Sequence, residues 1–198
     1  MNQWRSVVLV AMVAAVISTS ALAQVQSQVT EYSAKFLCGT INADLPPAAA
    51  AMGQGVYNTS INIHNPQLPL QPLPKVIFLK KVVISSPEGV TPLAPSSFRV
   101  DALTADFAEE VDCRIIRSIL GEVDANAPFI EGFVVLLVVP NPPPKQELDV
   151  VGVYTVTSPQ GQSISLEMER ITPRFITLPT ATAARIREKL MEPQPKKP

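Results

Sequence analysis

Proline is the residue that most limits how this chain can fold. Twenty of its 198 residues are proline, and a proline inside a helix removes a hydrogen bond and clashes with the preceding turn. Between the prolines lie short segments in which apolar and polar residues alternate, which is the pattern of a β-strand with one buried face. The sequence therefore favours a strand-rich fold over a mostly helical one.

The composition is that of a chain with one compact folded domain. Hydrophobic residues make up 46% of the sequence and charged residues 17%, which excludes the highly charged disordered class. Acidic and basic residues nearly balance, giving a formal net charge of −1. No broad cationic surface is therefore expected to neutralise a phosphate backbone, so we expect no nucleic-acid partner.

The first 23 residues have the organisation of a secretory signal peptide. Arg5 supplies the positive charge, the apolar run covers Val7–Ile17, and Ala21-Leu22-Ala23 is a small-residue cleavage site. This run is shorter than the roughly 20 residues that span a bilayer as a helix. We predict export to the periplasm or the exterior, no membrane span in the mature chain, and a flexible lead-in over residues 24–31.

Export changes how the two cysteines are interpreted. Cys38 and Cys113 are the only pair in the sequence, and an even count in an oxidising compartment favours a disulfide. A metal pair or a reactive thiol is the alternative. The spacing is not CxxC, and the single histidine does not complete a tetrahedral site. We predict a structural disulfide, with neither a metal nor a cofactor.

Period-2 alternation in some segments and nearly continuous apolar runs in others predict an all-β fold of about eight short strands. The segments are 32–39, 57–64, 76–84, 98–103, 108–113, 129–139, 148–157 and 164–168. A βαβ fold would need a helical segment between most strands, so we predict an antiparallel β-sandwich over residues 32–178, immunoglobulin-like in the broad sense. In the last segment, Leu166 and Met168 alternate with Glu167 and Glu169, which predicts a half-buried strand with a charged outer face.

Helical periodicity is clear in only one place. Apolar residues between Ile115 and Leu120 fall on one face of a two-turn helix that Gly121 would end. The tail, residues 179–198, is either a weak helix or disordered, and a helix there would cover an apolar sheet face.

Two segments have the composition of central strands. Residues 129–139 are apolar on both faces apart from Glu131, and residues 148–157 are nearly as apolar around Asp149. We expect these strands to be neighbours. A strand that is apolar on both sides needs cover on both sides, which opens the possibility of a homo-oligomer formed through an apolar sheet face.

Five short motifs follow one another along the chain: KFLCG at 35–39, INIHNP at 61–66, VDC at 111–113, EGFVV at 131–135 and LDVVGVYT at 148–155. In these motifs and their order, the sequence resembles a family of secreted bacterial proteins of unknown function. The resemblance touches most of residues 32–171. It implies an exported all-β domain with both cysteines at recurring motif positions, and it implies no particular activity.

Residues for catalysis are sparse. His64 is the only imidazole, and we interpret it as a surface or loop-fixing side chain because it lies on the polar side of its strand. The GxSxG, HExxH, P-loop and GxGxxG patterns are absent from the sequence. Acidic residues between Asp101 and Asp112 lack a calcium-loop pattern and are expected on a hydrated surface.

Glu131 and Asp149 are the candidates for carboxylate chemistry. In a buried pair, one carboxyl holds a proton while the other stays ionised, which is the arrangement that glycoside hydrolysis uses. Each could instead lie at a strand end or pair with a lysine such as Lys145.

The leading hypothesis is a non-catalytic exported module that binds a protein or glycan at the bacterial envelope or exterior, or that has a structural role there. Loops at the ends of the sandwich are where binding is expected, at Asn62, His64, Asn65 and Asn141. The alternative is a small secreted hydrolase that uses Glu131 and Asp149.

Overall fold

A computed structural model describes residues 27–42, 52–67, 75–121, 127–138, 147–158, 160 and 162–191. In these ranges the chain forms nine strands and two helices. In chain order they are β1 (Ser27–Ile41), β2 (Gly55–His64), β3 (Val76–Ile84), β4 (Arg99–Leu103), β5 (Ala108–Asp112), α1 (Cys113–Leu120), β6 (Phe129–Val138), β7 (Asp149–Thr157), β8 (Ser163–Arg170), β9 (Arg174–Leu178) and α2 (Thr180–Met191). Every strand pairing is antiparallel, which confirms the predicted all-β fold.

The strands form one hydrogen-bonded network that divides into two layers. The order is β4-β3-β6-β1-β2-β7-β8, with β9 beside β1 and β5 beside β2. β1 and β2 pair only where Gly39–Ile41 meets Gly55–Tyr57. Beyond that corner β1 is hydrogen-bonded to β6, and β2 is hydrogen-bonded to β7. We call β4, β3, β6, β1 and β9 the first layer, and β5, β2, β7 and β8 the second layer.

The inner faces of the two layers pack against each other and make the fold sandwich-like. Alternate residues of each strand point inward, as period-2 geometry requires. The shared core contains Tyr32, Phe36, Phe78, Val134 and Leu136 from the first layer and Ile61, Ile63, Val111 and Val150 from the second. Burial of each such side chain stabilises the fold by about 1.5–3 kcal/mol, so this core holds the two layers together.

A threonine bridges the place where β1 and β2 separate. The Thr59 hydroxyl accepts the Leu37 N–H at 2.9 Å and donates to the Leu37 carbonyl at 3.1 Å. It thus replaces the ladder hydrogen bonds that the two backbones no longer make at this point, and both backbone groups of Leu37 are satisfied there.

The predicted disulfide is present beside this bridge. Cys38 and Cys113 are joined, with their Cα atoms 5.5 Å apart. Cys38 belongs to β1 of the first layer, and Cys113 begins α1 directly after β5 of the second layer. The disulfide therefore links the two layers close to the corner that connects them.

Residues 27–31 and 174–191 form more regular secondary structure than the sequence indicates. Residues 24–31 were expected to be a flexible lead-in, but Ser27–Glu31 form the start of β1 and pair with β9. Val29 is buried in that pairing. The strand over Arg174–Leu178 was not predicted. The second helix, α2, lies in the tail, where the sequence is compatible with either a helix or disorder.

α2 lies on the outer side of the first layer. It packs against β3, and its Ala183 is fully buried. Leu79 of β3 and Val135 of β6 point away from the core and are nevertheless buried. Burial of the second apolar side of β6 at Val135 therefore does not require a second copy of the chain.

Two expectations about strand environment were wrong. β6 and β7 are not neighbours, since β6 pairs with β1 and β3 while β7 pairs with β2 and β8. β8 is not half-buried: Leu166 is 63% exposed and Met168 is 68% exposed. The register explains this exposure, because Met168 lies opposite Val153, which lies opposite Ser60 on the side of the second layer that faces away from the core.

Among the described residues, the helices are too short or too polar to cross a bilayer.

Candidate functional site

The outer face of the second layer is an open, largely polar surface. Strand alternation points Asn58, Ser60 and Asn62 of β2 away from the core residues Ile61 and Ile63. Directly opposite residues of neighbouring strands share a face. The register therefore adds Val151, Val153 and Thr155 of β7, Leu166, Met168 and Arg170 of β8, and Glu110 and Asp112 of β5.

A cavity of about 510 Å³ opens on this face beside the start of α1. Most of the residues that line it are polar or charged, although their carbon atoms supply the larger share of the exposed lining; the residues are Asn58, Thr59, Ser60, Glu110, Asp112, Arg114, Arg117 and Thr155, together with Val153 and Cys113. Because α1 begins at the disulfide, the wall that α1 contributes is covalently tied to β1.

Hydrogen bonds hold the charged wall of the cavity in place. Asp112 caps α1 by accepting the Ile115 N–H at 2.7 Å, and it lies 3.7 Å from the Arg114 guanidinium. The N-cap bond satisfies one of the free amides at the start of the helix. Arg114 extends into solvent and is the adaptable cation of the cavity rim, because a long side chain paired at this distance keeps much of its freedom.

A second arginine of the cavity is anchored by backbone carbonyls. Arg117 donates to the Ala127 carbonyl at 2.9 Å and to the Cys38 carbonyl at 3.2 Å. It therefore fixes the chain between α1 and β6 to the disulfide-bearing end of β1.

The serine of the cavity differs from an activated nucleophile in its hydrogen-bond partner. That serine, Ser60, donates to the Glu110 carboxylate at 2.6 Å. An activated serine needs a base that is itself oriented by a third group, and the chain's only histidine lies elsewhere: its Nε2 is 3.5 Å from Asp106. Among the described residues, no cluster of three or more metal-binding side chains occurs.

The predicted binding residues lie in different environments in the structure. Asn62 is exposed on the outer face of the second layer, and its amide nitrogen lies 3.5 Å from Ser60 Oγ. His64 ends β2 on the same face and faces Asp106. Asn141 lies outside the described residues. Two of the four predicted positions therefore belong to the surface that carries the cavity.

Asn65 was predicted to bind a partner, and that prediction was wrong. Its side chain is fully buried. The amide nitrogen donates to the Leu103 carbonyl at 3.1 Å, and Oδ1 accepts the Gln67 N–H at 3.3 Å. Both polar ends are thus used to satisfy loop backbone, as buried polar groups require, so Asn65 fixes the loop after β2.

The structure does not bring Glu131 and Asp149 together. Glu131 lies opposite Leu37 on the outer side of the first layer, 3.8 Å from Lys35. Asp149 begins β7 of the second layer, 3.1 Å from Arg170, and its neighbour Leu148 donates to the Tyr32 hydroxyl. Tyr32 and Leu37 are five strand residues apart, about 16 Å. Each carboxylate has its own cation, and Lys145 lies outside the described residues.

A buried charge cluster that was not predicted from the sequence surrounds Lys80. Lys80 is 3% exposed, its Nζ lies 2.8 Å from Asp101 and it also contacts Glu109. Asp101 and Glu109 were expected on a hydrated surface, but they neutralise a lysine that points into the core. Because Asp101 belongs to β4 and Glu109 to β5, the cluster joins the two layers.

One tyrosine on β7 has a strongly altered acidity. Burial, followed by the negative charge of Glu169 on β8, raises the pKa of Tyr154 to about 12. The Tyr154 hydroxyl donates to Glu169 at 3.3 Å. Tyr154 therefore stays protonated at neutral pH and acts as a hydrogen-bond donor to β8.

Comparison of the chain with protein-family models, with curated proteins and with solved structures found no match.

Proposed function

We propose that this protein is an exported, non-catalytic binding module whose ligand site is the outer face of the second layer around the cavity beside α1. The observation that carries the proposal is that cavity: it is about 510 Å³ in volume, and it is lined mostly by polar and charged residues on a framework held by the α1 cap and the disulfide. Export is supported by the signal-peptide pattern of residues 1–23 and by the disulfide, which persists in oxidising compartments.

The ligand that suits this face best is a segment of another protein. Asn58, Ser60 and Thr155 offer neutral donors and acceptors, Arg114 offers an exposed cation, and Val153 offers aliphatic surface. Somewhat more apolar than polar surface, with polar groups at the rim, is the usual composition of a non-obligate protein interface. A glycan is the other ligand class that the sequence leaves open, and binding experiments separate the two.

The test uses a matched pair of substitutions on exposed strand residues. Asn58→Arg places a long side chain in the cavity, whereas Ser33→Arg makes the same change on the outer side of β1 in the first layer. Both variants are exported with a photo-reactive amino acid at Thr155. We expect a cross-linked protein partner that is lost with Asn58→Arg and retained with Ser33→Arg.

The two ligand classes and the location of the site give different outcomes. Equal cross-linking by both variants would place the ligand elsewhere. If no protein is cross-linked, and the wild type binds a glycan array in a way that Asn58→Arg abolishes, the site is the one proposed but its ligand is a glycan.

A further inference from the structure

β8 is a free strand edge of the second layer. It is the last strand of the order and pairs only with β7, so one row of its backbone N–H and C=O groups has no strand partner in the described part of the chain. β8 has eight residues, whereas the edge strands β4, β5 and β9 have five each. It offers the longest template for pairing among them.

β8 has only part of the usual protection of an edge strand. Natural proteins block such edges with proline, with charged side chains and lysine above all, with bulges, or by keeping the strand very short. The sequence of β8, SISLEMER, contains neither proline nor lysine, and its protection consists of Glu167, Glu169, Arg170 and an irregularity in its register with β7 at Thr157. Leu166 and Met168 are also the most exposed of the large hydrophobic side chains in the described residues. A long edge that carries two exposed aliphatic side chains on one face favours pairing with another strand on that side.

We propose that two copies of this chain associate by antiparallel pairing of β8 with β8, about a two-fold axis at Leu166. In that register Leu166 lies opposite Leu166 of the second copy, and Glu167 lies opposite Ser165. A register centred one residue later would place Glu167 opposite itself, and like charges directly opposite are destabilising. The strand is therefore self-complementary in one register, and a two-fold axis is the commonest symmetry of protein dimers.

This pairing would extend the surface that carries the cavity. Directly opposite residues in a sheet share a face, so the outer faces of both second layers continue into one sheet. Both cavities then open on the same side of the dimer. The dimer does not depend on the proposed function, but it would make a binding module bivalent, and bivalency raises avidity without new contacts.

The test measures the mass of the purified protein in solution by size-exclusion chromatography with light scattering. We expect twice the chain mass for the wild type, and a dimer dissociation constant at least about tenfold weaker for Leu166→Lys, because an aliphatic pair becomes two facing cations. The control is Phe107→Lys, since Phe107 is 62% exposed in the loop before β5, nearly the same exposure as Leu166. It should leave the dimer unchanged.

A second variant tests the register itself. Leu166→Cys should form a disulfide between two copies under mild oxidation, since opposite Cβ atoms across antiparallel strands lie about 4.5–5.5 Å apart. Ser165→Cys should not, because its counterpart is Glu167 of the second copy. A monomeric wild type, a dimer insensitive to Leu166→Lys, or cross-linking by Ser165→Cys in place of Leu166→Cys would each overturn the proposal.

Discussion

The disulfide is expected to be a main source of stability, and its contribution can be worked out from the chain it closes. Cys38 and Cys113 are 75 residues apart, and for a loop of that length the chain-entropy model gives about 4.5 kcal/mol. The free energy of unfolding of a domain is typically about 5–15 kcal/mol. We therefore expect loss of the bond to remove about 30% or more of the stability.

The assay compares three forms of the protein by urea unfolding, followed by circular dichroism of the β-sheet. These are the oxidised wild type, the wild type reduced while unfolded and then refolded in reductant, and the double variant Cys38→Ala/Cys113→Ala. The reduced form lacks only the covalent bond, whereas the double variant also lacks the packing of two sulfur atoms. We expect the reduced form to lose about 4.5 kcal/mol and the double variant to lose somewhat more.

Reduction of the folded protein should be slow. Cys38 is fully buried, while Cys113 lines the cavity. A thiolate that attacks the Cys113 sulfur would expel the Cys38 thiolate into the apolar core, and burial of that charge opposes the step.

If the reduced and oxidised forms unfold with free energies within about 1 kcal/mol of each other, the chain-entropy explanation of this disulfide is refuted.

Three further changes test other parts of the fold. Lys80→Met should destabilise the protein by about 2–3 kcal/mol in urea unfolding. This loss is somewhat smaller than the usual one for a broken buried ion pair, because both carboxylates are partly exposed. The control is Lys81→Met, on the neighbouring residue that points to the outer side, which should cost less than about 1 kcal/mol. Thr59→Val should cost about 1–3 kcal/mol because it leaves the Leu37 N–H without a partner, and an unchanged unfolding midpoint would show that water replaces the hydroxyl. The pKa of Tyr154 is raised to about 12 from an ordinary value of about 10, so its contribution to stability is present below pH ~10 and is lost as pH rises toward 12. Tyr154→Phe should remove that part of the loss of stability at alkaline pH. An identical pH profile for the variant and the wild type would contradict the raised pKa of Tyr154.

Local features of this fold could be predicted closely from sequence. The apolar run over residues 76–84, interrupted only by Lys80 and Lys81, predicts the bounds of β3 as the structure has them. The helix α1 ends at Gly121, whose φ is +72° and whose N–H reaches the Arg117 carbonyl at 3.2 Å, because glycine adopts positive φ without strain. These features depend on neighbouring residues alone, so their signals lie in a few consecutive positions.

Features that depend on how strands pair could not be predicted in this way. Alternation indicates that Leu166 and Met168 share a side of β8, but the register with β7 decides which side faces the core, and it turns both side chains outward. Glu131 and Asp149 were expected on neighbouring strands because both segments are apolar, yet similar composition does not determine which strands pair. Asn65 was expected at the surface because it lies in a loop at the end of the sandwich, whereas its amide is buried and binds backbone groups of that loop.

The position of Lys80 in β3 predicts its burial, although its residue type alone predicts exposure. Its position in β3 has the same parity as Val76, Phe78 and Val82, which all point into the core. Parity alone therefore predicts an inward lysine, and a lysine in an apolar interior needs carboxylates within reach. Asp101 and Glu109 meet that need from two strands that lie in different layers. Two acidic residues of the segment 101–112 are thus explained by one buried cation of β3, although composition alone places them in solvent. The pairing of Lys80 with Glu109 brings β5, an edge strand of the second layer, against β3.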